Sequence, residues 1–98
     1  MSSRHQLTVS CLAIEEGWQC RVVVGADPAA ITHEVEVGAD LLGRLRPGAT
    51  DPEELVRDSF AFLLEREPRE SILRSFKLPV IGRYFPEWEA EISERPLG

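Results

Sequence analysis

Residues 6–37, QLTVSCLAIEEGWQCRVVVGADPAAITHEVEV, alternate apolar and polar side chains with a period of two, which is the pattern of half-buried β-strands. In the first run the odd positions Leu7, Val9, Cys11 and Ala13 are the more apolar. In the second the even positions Trp18, Cys20, Val22 and Val24 are, and in the third the odd ones again, Ile31, His33, Val35 and Val37, with Thr32, Glu34 and Glu36 turned outward. Directly opposed residues on antiparallel strands share a face. The first hairpin must therefore pair odd with even, as when Ala13 faces Cys20 around a turn at 14–19, with Gly17 supplying a positive φ. The second link, residues 25–30 with Asp27-Pro28 inside it, is a turn cluster, and pairing Val24 with Ile31 keeps the apolar faces together. The prediction is a three-stranded antiparallel meander in the order 1-2-3. The alternative is a bulge at Gly17 that flips the first strand, exposing Cys11 and burying Leu12 and Ile14.

The second face of this sheet is mixed, because Leu12, Ile14 and Val23 interrupt Thr8, Ser10, Gln19 and Arg21. Scattered surface apolars are ordinary, whereas a cluster of three would form a self-association surface. Both outer strands of a three-stranded sheet have free edges, and Glu34 and Glu36 would guard the third.

Helices follow. Leu41, Leu42 and Leu45 define a short one from Ala39 to Arg46, stopped by Pro47-Gly48. Asp51-Pro52-Glu53-Glu54 is the clearest helix start, with Asp51 as cap, Pro52 in the first turn and Glu54 completing a capping box. That helix runs to about Arg66 and is apolar over more than half its circumference, which calls for burial on two sides. Glu53 and Arg57 are spaced for a surface ion pair. Pro68 restarts a helix through Ile72, Leu73 and Phe76, and Pro79 another through Val80, Ile81, Tyr84 and Phe85, each apolar at i, i+1 and i+4. Trp88 and Ile92 continue as one more turn. Residues 1–98 thus read as one α+β domain, a three-stranded antiparallel meander (6–37) followed by about four short helices packed on one face (39–92), with 1–5 and 93–98 frayed.

The stretch FLLEREPRESILRSFKLPVIGRYFPEWE, residues 62–89, resembles a pattern shared by a group of small bacterial proteins, close to FLLEREP-x-ESIL-x-x-F-x-L-x-x-I-x-RYFPE. The resemblance is close over the last third of the chain and looser over the β-rich part. It implies a shared fold and transfers no site residue.

The formal charge is −6, from seventeen acids and eleven bases, which disfavours broad binding to phosphate backbones. Ten of the bases are arginine, a skew that fits a GC-rich genome. The first six residues are polar with no apolar segment after them, no run approaches the length of a membrane span, and the expected compartment is the cytoplasm. Cys11, Cys20 and His33 fall on one face. In the predicted register the cysteines are diagonal neighbours about 7–8 Å apart, too far for a disulfide, and cytosolic thiols stay reduced. Cys11 and His33 lie two strand spacings apart, so no shared metal ion is expected, and no cofactor. No nucleophile motif is present, and Glu15-Glu16, Glu53-Glu54 and the pair Glu65 and Glu67 sit where acids are ordinary surface residues.

The residues left for function are Arg69, Arg74, Lys77, Arg83, Tyr84 and Trp88. Aromatic and arginine side chains dominate binding hot spots, and Trp88, among Glu87, Glu89 and Glu91, is expected to be partly exposed. The expectation is a non-enzymatic protein-interaction module, homodimeric if the mixed sheet face self-associates. The second reading is a small nucleic-acid-binding or regulatory protein using the basic 66–83 face, where two short helices joined near Lys77-Leu78 loosely resemble a helix-turn-helix. An enzyme comes third.

Overall fold

The computed structural model describes residues 6–26 and 28–94. Asp27 of the expected turn and the ends 1–5 and 95–98 lie outside them. The meander forms as β1 (Leu7–Ile14), β2 (Gly17–Val24) and β3 (Ile31–Gly38), both pairs antiparallel. Val24 pairs with Ile31 as expected. The first hairpin keeps the predicted faces but not the register: Ala13 pairs with Trp18 and Ile14 with Gly17, so Glu15 and Glu16 alone make the turn. Gly17 does not supply a positive φ, since the glycines that do are Gly25 and Gly48. It is needed for close approach instead, because a Cβ there would collide with the Val37 carbonyl oxygen.

This register sets Cys11 directly opposite Cys20, with Cα atoms 4.0 Å apart, and the two form a disulfide. The expectation of reduced, diagonal thiols is corrected. Its cause is the turn, which is tighter by two residues on the second strand than a loop centred on Gly17.

The sheet also has a fourth strand, β4 (Ser75–Lys77), which runs parallel to β3 with Val35 opposite Phe76 and makes the sheet mixed, in the order β1-β2-β3-β4. The helix expected across 68–76 is a 3₁₀ turn at Arg69–Ser71 followed by this strand. β3 is therefore interior, and Glu34 guards no edge; it accepts hydrogen bonds from Arg21 at 3.0 Å and Gln19 at 3.4 Å across the outer face.

Helices α1 (Ala39–Leu45), α2 (Glu53–Leu64), α3 (Val80–Tyr84) and α4 (Trp88–Glu94) complete the fold, and α4 continues to Glu94, past the point where fraying was expected. At the start of α2, Asp51 Oδ1 accepts the Glu53 amide at 3.0 Å. Arg57 turns to the Leu7 carbonyl, 2.9 Å away, where a pair with Glu53 was expected. One sheet face is buried, through Val9, Cys20, Val22, Val24, His33, Val35 and Val37, against Leu41, Leu45, Leu55, Val56 and Phe60 from the helices. The helices are tied to one another by arginines. Arg44 makes a two-pronged bond to Glu89, which holds the Glu89 carboxyl below its ordinary pKa. Arg66 stacks on the Phe62 ring and reaches Glu87 and Glu91. No helix among the described residues is long and apolar enough to cross a membrane.

Candidate interaction surface

The 3₁₀ turn, β4 and α3 diverge from the end of α2 and leave a groove of about 420 Å³ between them. Its floor and walls are Leu63, Ile72, Phe76, Val80, Ile81 and Phe85, with Glu67 and Ser71 as the polar groups and Leu73 and Tyr84 at the rim. Local sequence explains the shape. Pro79 starts α3 but the helix lasts only five residues before Pro86, so its Phe85 end tips onto Phe62, edge to face at 5.8 Å. The alternation Ser75-Phe76-Lys77 puts Phe76 on the core face, stacked near Phe60 at 6.0 Å, and its neighbours on the other.

Four large apolar side chains are exposed among the described residues, namely Leu12, Ile14, Leu73 and Tyr84. Two of these, Leu73 at 48% and Tyr84 at 68%, stand on the rim of this one groove.

The six residues singled out from the sequence separate into four groups. Trp88 is fully buried and its Nε1–H donates to Ser59 Oγ at 3.2 Å; the expectation of partial exposure is corrected, because the indole fills the space between α4 and α2 and finds a polar partner there. Arg69 is spent on structure, donating to the Val24 carbonyl at 3.3 Å and lying 3.7 Å from Glu70. Lys77 is exposed but belongs to the opposite side of β4, in a shallow depression with Glu36, Asp40, Arg44 and Pro79. Of the six, Tyr84 alone lines the groove, and Arg74 and Arg83 are exposed and follow or precede the rim residues Leu73 and Tyr84 in the chain. Neither arginine makes an ion pair among the described residues. Helical spacing assigns Leu73 and the groove-lining Phe76 to a packed helix, whereas Phe76 lies in β4, whose polar–apolar–polar alternation is its signal in the sequence.

His33 lies beneath the rim. It is fully buried, its ring 5.3 Å from that of Phe60, and Nδ1 is 2.8 Å from the Leu73 carbonyl oxygen. Since that oxygen can only accept, Nδ1 carries the proton and Nε2 has no partner among the described residues. Burial lowers the His33 pKa, against the Leu73 bond that raises it and with Arg74 adding to the decrease. No group of three His, Cys, Asp or Glu side chains among the described residues could hold a metal ion. Compared with known proteins, the chain matches no family model, no curated protein and no solved structure.

The mixed sheet face does not form one apolar cluster. Leu12 lies opposite Gln19 and Val23 opposite Thr8, four residues further along the strands, or roughly 13 Å at the usual strand rise. Only Leu12 and Ile14 remain together, beside the β1–β2 turn.

Proposed function

We propose that the chain is a non-enzymatic interaction module whose groove receives a segment of a partner protein, anchored by aliphatic or aromatic side chains and flanked by acids. The observation that carries this reading is the convergence of Leu73 and Tyr84 on the rim of an apolar groove. Exposing them leaves apolar surface in water that a partner would cover, and a Tyr beside Arg83 has the composition of a hot spot. Arg74 and Arg83, which make no ion pair among the described residues, supply the complement to acidic flanks and would raise the rate of encounter. A small-molecule site would enclose its ligand more fully than a rim so exposed allows.

A nucleic acid fits this surface less well. Two of the five bases between 66 and 83, Arg66 and Arg69, are engaged within the fold, and the two helices needed for a helix-turn-helix do not form because β4 replaces the first. The compartment belongs to the proposal as well. A cytoplasmic site was expected, but the Cys11–Cys20 bond favours an oxidising environment.

Selection from a displayed random-peptide library tests the reading. Peptides with apolar anchors and Asp or Glu flanks are expected to be enriched on the wild-type protein and not on the Leu73→Ala, Tyr84→Ala double variant. Equal enrichment on both, or none on either, would overturn it.

A further inference from the structure

The other exposed apolar pair, Leu12 and Ile14, lies on β1, an outer strand of the sheet. Natural edge strands are blunted by charge, proline, bulges or short length. β1 is eight residues long, LTVSCLAI, with no charge, no proline and an unbroken register against β2. The direction of its backbone groups follows from two observations. The Gly25 amide donates to the Gln6 carbonyl at 2.8 Å, and the 4.0 Å between the Cα atoms of Cys11 and Cys20 is the close approach of a non-hydrogen-bonded pair. Even-numbered residues therefore bond to β2, and Leu7, Val9, Cys11 and Ala13 turn their amides and carbonyls to the outside. Arg57 covers the Leu7 carbonyl and Val9 is buried. Cys11 and Ala13, toward the turn, have no backbone partner on that side among the described residues.

We propose that this half of the edge pairs antiparallel with the same edge of a second copy, about a two-fold axis on which Leu12 faces the second copy's Leu12. An isologous contact of this kind joins one patch to itself. In this register Cys11 and the second copy's Ala13 exchange both backbone hydrogen bonds, and the symmetric pair does the same. Leu12, 75% exposed in the single chain, and Ile14, 44% exposed, are covered on the outer face. Glu15 and Glu16 of one copy fall opposite Val9 and Thr8 of the other, next to Arg57, an exposed arginine that makes no ion pair among the described residues. That match selects both occupant and register. A foreign strand need not bring two acids to that point. Moving the axis to Ala13 would draw the glutamates away from Arg57, and moving it to Cys11 would set Leu12 against Ser10. The contact is separate from the groove.

The test is the mass of the wild-type protein in solution as concentration rises to about 1 mM, the weak end of specific association, read together with amide hydrogen exchange. The expected result is a monomer–dimer equilibrium in which the Cys11 and Ala13 amides slow as dimer accumulates. Leu12→Asp, which places like charges on the axis of an otherwise exposed position, is expected to weaken association roughly tenfold or more. Arg57→Glu weakens it too, and Glu15→Arg with Glu16→Arg restores it in the same chain. Tyr84→Ala leaves it unchanged. A monomer at every concentration, a dimer indifferent to Leu12→Asp, or exchange at Cys11 and Ala13 that ignores concentration would each overturn the proposal.

Discussion

His33 shows how a residue tied to the candidate surface carries a measurable signature. Its ring is neutral in the fold, wedged between Phe60 and the Leu73 carbonyl, and burial keeps its pKa below the ordinary value of about 6.5. The unfolded chain takes up a proton at about that pH and the folded chain does so only lower down. The unfolded state therefore binds more protons in between, and stability falls as pH drops below about 6.5. The urea midpoint is expected to decline through this window in the wild type and to stay flat above the carboxylate range in His33→Gln. Trp88 belongs to the same scale. An indole among glutamates suggests a wet position, but Glu87, Glu89 and Glu91 are drawn to Arg66 and Arg44 at the surface while the ring points inward. Trp88→Ala is expected to cost about 3–5 kcal/mol in a denaturation experiment, far more than any exposed residue would.

Among the elements, the first hairpin and β4 separate what local pattern can show from what it cannot. Alternation identified the buried face of all three meander strands, since Val9, Cys20, Val22, Val24, His33, Val35 and Val37 are the ones inside. It could not distinguish two registers that keep the same faces, because a shift of two residues returns every side chain to its own side. Gly17 misled because glycine suits both a turn and a crowded strand, and only the Val37 carbonyl from a later strand shows which applies. The disulfide follows from that register and was hidden with it. Reducing it is expected to lower stability by about 2–3 kcal/mol, the loop-closure value for its sequence separation of 9, measured as the shift in ΔG between native and reduced, alkylated protein. An unchanged ΔG would show that the thiols are not bonded in solution. β4 was misread for a different reason: Ile72, Leu73 and Phe76 have helical spacing, and a three-residue parallel strand is held by non-local pairing to β3 that no short window contains.

For the whole molecule, the α+β division and the positions of α1 to α4 were legible, the strand that replaces the helix expected across 68–76 was not, and the candidate surface was legible only in part. Tyr84, Arg74 and Arg83 were picked out by residue type. Their neighbours Leu73 and Ile72 were not, because a groove is made by the distance between elements rather than by any one of them. The helices bury one face of the sheet, and the large apolar side chains exposed among the described residues gather in two places, the groove and the turn end of β1. The proposed division of labour places a partner segment in the first and a second copy on the second. Charge reversal at the rim separates the two. Arg74→Glu with Arg83→Glu is expected to weaken binding of an acidic selected peptide at least about tenfold, as loss of two favourable charge contacts implies, with the oligomeric state unaltered.

The most direct measurement is a ¹⁵N–¹H shift map of the labelled protein titrated with a peptide enriched in the selection. The expected result is a saturable set of shifts at Leu73, Phe76, Ile81, Tyr84 and Phe85, absent from the Leu73→Ala, Tyr84→Ala protein and leaving Ser10 to Ile14 in place. Shifts centred on β1 or on the Lys77 side of β4, with the groove silent, would contradict it.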